Sequence, residues 1–352
     1  MSAVPIEVIQ CGESRSFTSD NTAGGAPEIM AAVAAAASGQ APPYGTDSWT
    51  SSARHRFSEV FDCDVDLLPV ATGSAANALS LAALTPPWGS VLCHRDSHIN
   101  NDECGAPEFF TGGAKLVALG GENAKIDADG LQAAVHRKVG DVHSVQPSVL
   151  SLTQATETGA VYTPAEIGHL ACIAKHAGLR VHMDGARLAN AVAALGCNPA
   201  ELTWRAGVDV LSFGATKNGA LAAEAVVFFD TSLVRDFELR RKQAGHLLSK
   251  SRYISAQLLA YVESGLWLRN ARRTNTLAQR IGRTAGPLLM HPVEANEIFL
   301  ALGNERKQAL RQAGFEFYDW NAASTGEARL VVSWDQREED VLALCTALQK
   351  IL

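Results

Sequence analysis

Lys217 follows directly on an apolar run, Asp209–Phe213, through Gly214-Ala215-Thr216. A lysine at the mouth of a buried strand is a candidate nucleophilic amine. A second apolar run, Arg180–Met183, leads into Asp184-Gly185-Ala186-Arg187, so a carboxylate and a guanidinium leave one strand together. Ser90–Cys93 leads into His94-Arg95-Asp96-Ser97-His98, which puts a histidine at a third exit. Leu67–Ala71 leads into Thr72-Gly73-Ser74-Ala75-Ala76-Asn77 and straight into a helix. Small residues, hydroxyls and the free N–H groups of a helix start suit a phosphate. Each motif alone has a plainer explanation: a capped turn at Thr72, a surface histidine at His98, a helix cap at Asp184, solvated cations at Arg187 and Lys217.

The elements that carry these residues make the plainer explanations harder to sustain together. Seven short apolar runs read as strands: the four above, with Lys115–Ala118, Ser148–Leu152 and Ala225–Phe229. Helix-period segments such as Pro164–Gly178 and Asn198–Ala206 lie between most of them. Several strands are apolar on both faces, as a parallel sheet covered by helices requires. The fold class is therefore α/β, with a large domain built on a mostly parallel seven-stranded sheet. Such a sheet binds ligands at the carboxyl ends of its strands, so all four motifs converge on one edge. Asp184 and Lys217 are 33 residues apart, about one strand–helix–strand unit. Pyridoxal 5′-phosphate needs this set: a lysine for its aldehyde, a carboxylate for its ring nitrogen, a helix start for its phosphate and a flat neighbour for its ring.

His182-Met183-Asp184-Gly185-Ala186-Arg187 and Ser212-Phe213-Gly214-Ala215-Thr216-Lys217-Asn218-Gly219 resemble the low-specificity L-threonine aldolases, a branch of the fold type I (aspartate-aminotransferase-like) pyridoxal enzymes. Phe17-Thr18-Ser19-Asp20-Asn21-Thr22, Tyr44-Gly45-Thr46-Asp47 and Arg329-Leu330-Val331 look like further motifs of that family, so the likeness spans about Ser16 to Trp334. It implies an aldehyde-lyase that cleaves L-threonine, L-allo-threonine and related L-β-hydroxy-α-amino acids to glycine and an aldehyde. It implies that Lys217, with Thr216 beside it, holds the cofactor aldehyde, that Asp184 pairs with the ring nitrogen and that His98 stacks on the ring. Gly73 and Ser74 would bind the phosphate, and Ser19, Arg187 and Arg329 the substrate carboxylate. Lys250 or Arg252 is expected to reach the phosphate, of its own or a neighbouring subunit. The sequence departs from the family in two places. Asn218 follows the lysine where many relatives have Gly, and Glu157 stands in Gln154–Gly159 where many have a histidine. His98 and Glu157 are thus the candidates for the base that takes the β-hydroxyl proton. The polar Gln154, Thr156 and Thr158 do not suggest the dry surroundings a raised glutamate needs, which favours His98.

The whole chain is consistent with such an enzyme. It has 352 residues, 47% hydrophobic and 19% charged, enough for a large core and too apolar for global disorder. A net charge of −7 argues against a nucleic-acid partner. The longest apolar run, Ile29–Ala37, has nine residues, about half of what spans a bilayer, and no signal-like segment opens the chain. No membrane association and a cytoplasmic location are expected. Seven cysteines lie far apart with no Cys-x-x-Cys, so neither a disulfide framework nor a metal is implied. After Ser232 the pattern turns to long helices and then a few strands, so 1–240 is read as the large cofactor domain and 241–352 as connecting helices and a small C-terminal α+β domain. A homo-oligomer, dimer or tetramer, is expected from the family. Two readings compete: another fold type I enzyme (a β-eliminating lyase or aminotransferase), and a metal-dependent hydrolase built on His94, His98, His182 and Asp184.

Overall fold

The computed structural model describes residues 15–322 and 325–352; Cys11 lies outside them, and the other six cysteines are free. The described chain enters through a two-residue strand, β1 (Arg15–Ser16). Seven strands follow: β2 (Asp66–Val70), β3 (Gly89–His94), β4 (Lys115–Leu119), β5 (Gln146–Thr153), β6 (Arg180–Gly185), β7 (Val210–Gly214) and β8 (Glu224–Phe228). They form one sheet in the order β2-β8-β7-β6-β5-β3-β4. β8 is antiparallel to both neighbours, and every other pair is parallel. All seven expected strands are present, with no end moved by more than two residues.

Strands apolar on both faces are covered on both faces. Leu67, Leu150, Leu152, Val181, Met183, Leu211 and Phe213 join one core, with Phe57, Leu170 and Leu258 from the helices over it. Their neighbours Leu68, Val149, Val210, Val226 and Phe228 face the other way, against the helix Gly73–Leu84 and Phe237. That helix is buried nearly all round because it lies between the sheet and the helices Ala106–Thr111 and Val234–Gln243. Thr72 starts it by accepting the Ala75 amide at 3.2 Å. Gly214 ends β7 against the backbone of Ala186, where a Cβ would lie 2.6 Å from the Ala186 carbonyl oxygen. Only glycine lets the ends of β6 and β7 approach this closely.

A second core lies around the small sheet β11-β12-β9, made of β9 (Glu297–Ala301), β11 (Tyr318–Asp319) and β12 (Glu327–Val331). The C-terminal helix Glu338–Ile351 and the later half of the helix Leu266–Ala285 pack on it, and Phe17 from the start of the described chain joins them. The segment Phe315–Asp319 serves two partners: β10 (Phe315–Glu316) pairs with β1, while Tyr318 and Asp319 pair with β12. One expectation changes here. Asn198–Ala206 is not one helix but two 3-10 turns, Pro199–Leu202 and Trp204–Ala206, separated by Thr203 in a non-helical conformation. Among the described residues no helix is long and apolar enough to cross a membrane.

Candidate active site

Adjacent parallel strands with Asp184 opposite Ser212 and Gly185 opposite Phe213 bring the carboxylate of β6 and the lysine after β7 to one sheet edge. A cavity of about 280 Å³ opens there, lined by Thr72, Gly73, Ser74, Asn77, His98, Glu157, Asp184, Arg187, Thr216, Lys217 and Glu224. It joins a wider outer cleft that shares His98, Glu157, Arg187 and Lys217 and adds Ser19 and Arg329. The structure therefore brings together ten of the twelve residues expected at the cofactor and substrate. Lys250 and Arg252 line neither cavity; Arg252 reaches the Gly39 carbonyl instead.

Asp184 is 4% exposed and accepts two hydrogen bonds, from the Asn77 amide at 2.9 Å and the Ala186 N–H at 3.0 Å. No cation among the described residues pairs with it, so a buried carboxylate faces the cavity with its charge uncompensated. Asn77 also donates to Glu103 at 2.8 Å, and the same Glu103 oxygen lies 2.8 Å from His98 Nδ1. The Glu103 bond raises the His98 pKa above its ordinary 6.5, while burial opposes the rise. Glu103 is itself raised, by burial first, with His98 and Asn77 pulling it back. Asn77 Oδ1 and Glu103 Oε2 are buried with no partner. Neither Asn77 nor Glu103 had been given a role. Asn77 sits one helical turn beyond Gly73, a spacing that returns it to the cavity, but nothing local singled out Glu103.

Lys217 makes no hydrogen bond or ion pair with any described residue. The first two N–H groups of the helix Gly73–Leu84 have no intrahelical partner, and a Cβ on Gly73 would meet nothing within 4 Å. Open donors, an unpaired buried carboxylate and an unpaired lysine around one cavity fit the phosphate, ring nitrogen and aldehyde of pyridoxal phosphate.

The two arginines are tied down. Arg187, 6% exposed, donates twice to Asp20, at 2.8 and 3.1 Å, and lies 3.3 Å from Glu297. Arg329 donates to the other Glu297 oxygen at 2.7 and 3.2 Å. Burial alone would raise the Asp20 carboxyl, but the charges of Arg187 and Lys217 and the bonds from Arg187 and Asn296 hold it at about 2. Burial likewise opposes the charge on Arg187, and Asp20 and Glu297 overcome it and raise its pKa. Glu297 is the clearest omission from the sequence reading; its one signal is a carboxylate opening an otherwise apolar strand.

Glu157 corrects an expectation. Its neighbours do not wet it: Gln154 is fully buried and exchanges bonds with Tyr162 at 2.8 and 3.0 Å, and Thr156 donates to the Asn123 carbonyl at 2.9 Å. Burial and the charge of Glu297 push the Glu157 carboxyl up, against Arg187 and Lys217. The residues of the metal-hydrolase alternative are not gathered. His182 is fully buried between Ser151 at 2.9 Å and Ser212 at 3.0 Å, with burial lowering its pKa to about 4, and His94 turns to the Gly121 carbonyl at 3.3 Å. Among the described residues no group of three or more His, Cys, Asp or Glu could hold a metal ion.

Residues 16–304 match the family model described as beta-eliminating lyase. The chain is 42% identical over 344 residues to a low specificity L-threonine aldolase of Pseudomonas sp. (strain NCIMB 10558), covering 97% of this chain and 99% of that one. It is 43% identical to the protein of the same name from Pseudomonas aeruginosa, covering 96% and 98%. A solved Leishmania major threonine aldolase superposes with a TM-score of 0.89 at 26% identity, covering 95% of this chain and 98% of that one.

Proposed function

The chain belongs to the beta-eliminating lyase family and, within it, to the low-specificity L-threonine aldolases, and on that premise we propose how its residues divide the work. The enzyme is a pyridoxal-phosphate-dependent aldehyde-lyase of fold type I. Its reaction is the retro-aldol cleavage of L-threonine, L-allo-threonine and related L-β-hydroxy-α-amino acids to glycine and an aldehyde. The observation that carries the assignment of residues is the uncompensated Asp184 facing the same cavity as the unpaired Lys217 and the open helix start at Gly73.

Gly73 and Ser74 would hold the cofactor phosphate, Thr216 would steady the turn that carries Lys217, Lys217 would hold the aldehyde, Asp184 would keep the ring nitrogen protonated and His98 would lie against the ring. When bound, the cofactor supplies a cationic ring that accepts the electron pair of the broken Cα–Cβ bond. Arg329, backed by Arg187 and Ser19, grips the substrate carboxylate; a planar fork suits that shape. With Glu103 on Nδ1, the free Nε2 of His98 takes the β-hydroxyl proton, and Glu157 is the second candidate for that step. In a homo-oligomer, dimer or tetramer, Lys250 or Arg252 of a second copy would add a cation at the phosphate. The location we propose is the cytoplasm.

The test is to reduce the enzyme with borohydride and map the modified peptide, while a parallel sample is given L-threonine, L-allo-threonine and L-phenylserine. The adduct is expected on Lys217, with glycine and the matching aldehyde released, and Lys217→Ala should lose both. An adduct on another lysine would overturn the residue assignment; pyruvate or a keto acid as product would favour a β-eliminating lyase or an aminotransferase.

A further inference from the structure

Glu224 opens β8, the antiparallel strand, so that end of β8 lies among the carboxyl ends of the others. The register sets Glu224 opposite Val70 on one side and Gly214 on the other. Val70 runs on to Gly73 and Ser74, and Gly214 runs on to Thr216 and Lys217. A carboxyl 8% exposed is thus wedged between the phosphate loop and the lysine turn, and it lines the same cavity. The Ala215 N–H donates to it at 3.3 Å, and Thr216 also bonds to it. No described cation lies within ion-pair distance of it. The roles proposed above leave it unused, yet an ionised carboxyl in the wall of a phosphate site repels the phosphate it adjoins.

We propose that Glu224 completes the phosphate site as a neutral acid: when a phosphate monoester fills the Gly73–Ser74 cradle, Glu224 takes a proton from solvent and donates its O–H to the phosphate. This rests on reading the cavity as a pyridoxal-phosphate site. Burial already pushes the carboxyl up to about 7, against Thr216 and Lys217, so a nearby dianion raises it further and protonates it at working pH. The titratable groups facing Glu224 are Lys217 after β7, Tyr261 on the helix Arg252–Glu263 and Asp184 across the cavity. β2 brings no titratable residue to that end. Burial pushes the Tyr261 phenol up, so it stays neutral throughout.

The experiment is calorimetric binding of pyridoxine 5′-phosphate, which has no aldehyde to react, at pH 8 in buffers of different ionisation enthalpy. Phosphate monoesters are dianions there, their second ionisation lying near about 6. Wild type should take up close to one proton more per site than Glu224→Gln; any proton gained by the ring cancels in that difference. Wild-type Kd should rise by up to about tenfold between pH 7.5 and 8.5, and that of Glu224→Gln distinctly less. Should Glu224→Gln fail to fold, wild type alone decides: it should take up one proton more with pyridoxine phosphate than with pyridoxine. Equal proton counts overturn this inference alone, including the case in which a cation from a second subunit pairs with an ionised Glu224. Failure of wild type to bind the ester at all overturns the cofactor reading together with it.

Discussion

An imidazole accepts a hydroxyl proton only through a nitrogen with a free lone pair, and Glu103 decides which nitrogen of His98 that is. A carboxylate on Nδ1 holds the proton there and leaves Nε2 as the acceptor. The same bond raises the His98 pKa, so the acid limb of kcat/KM should lie above the ordinary 6.5, the base form being lost as pH falls through it. Glu103→Gln should move that limb to lower pH. His98→Phe should keep the bound cofactor yet lose about 10²–10⁴ in kcat, while Glu157→Gln stays within about tenfold. The reverse pattern would make Glu157 the base, a role its burial equips it for. Lys217, Asp184 and His98 were legible because each lies at or just beyond the carboxyl end of an apolar strand. Glu103, Glu224 and Glu297 were not, because their importance lies in what the fold sets opposite them, and no spacing along the chain encodes that; Asn77 alone had a spacing to offer, one helical turn past Gly73.

Strands carry these residues to one edge, and the spacing between β6 and β7 sets the distance from Asp184 to Lys217. All seven strands were legible: the inner ones, buried on both faces, leave mostly apolar runs, and the edge strand β4 keeps Leu116, Val117 and Leu119 although Lys115 and Ala118 are exposed. The direction of β8 was not, because a short apolar strand looks the same either way, and with that direction went the placing of Glu224. The pinch at Gly214 gives a test at this scale. In Gly214→Ala the new Cβ would meet the Ala186 backbone at 2.6–2.9 Å, and backbone has little room to yield. Overpacking of this kind costs about 1–3 kcal/mol, and the shift falls between Asp184 and Lys217. Activity should therefore drop further than the loss of stability explains. Gly168→Ala is the control: it sits in the helix Pro164–His176 with nothing within 4 Å of a new Cβ. It should gain about 0.5–1 kcal/mol and keep full activity. Urea unfolding beside kcat for both variants reads the difference; equal activity in the two would mean that the β6–β7 spacing does not govern the site.

Three parts of the molecule meet in one buried charge network. Asp20 comes from the N-terminal segment, Arg187 from the main sheet, and Glu297 and Arg329 from the small sheet. Asn296 adds a bond of 3.1 Å to Asp20. Each arginine is thereby held in place, and the two cores are joined by charge as well as by packing. Such a network makes stability depend on pH with a definite sign. Asp20 sits at about 2 in the folded protein against an ordinary 3.8, so its contribution is complete above about pH 4 and is lost as pH falls towards 2. The shift corresponds to about 2 kcal/mol. Asp20→Asn keeps the shape and removes the charge, leaving Arg187 with Glu297 alone, so it should be less stable than wild type at pH 5. Other carboxylates titrate in both proteins and cancel in the comparison. The gap in unfolding free energy between wild type and Asp20→Asn should hold steady from pH 7 to 5 and shrink by about 2 kcal/mol from pH 5 to 2. Urea unfolding of both proteins at pH 7, 5, 4, 3 and 2 measures it. A gap unchanged at pH 2 would mean that Asp20 contributes through its hydrogen bonds and not through its charge.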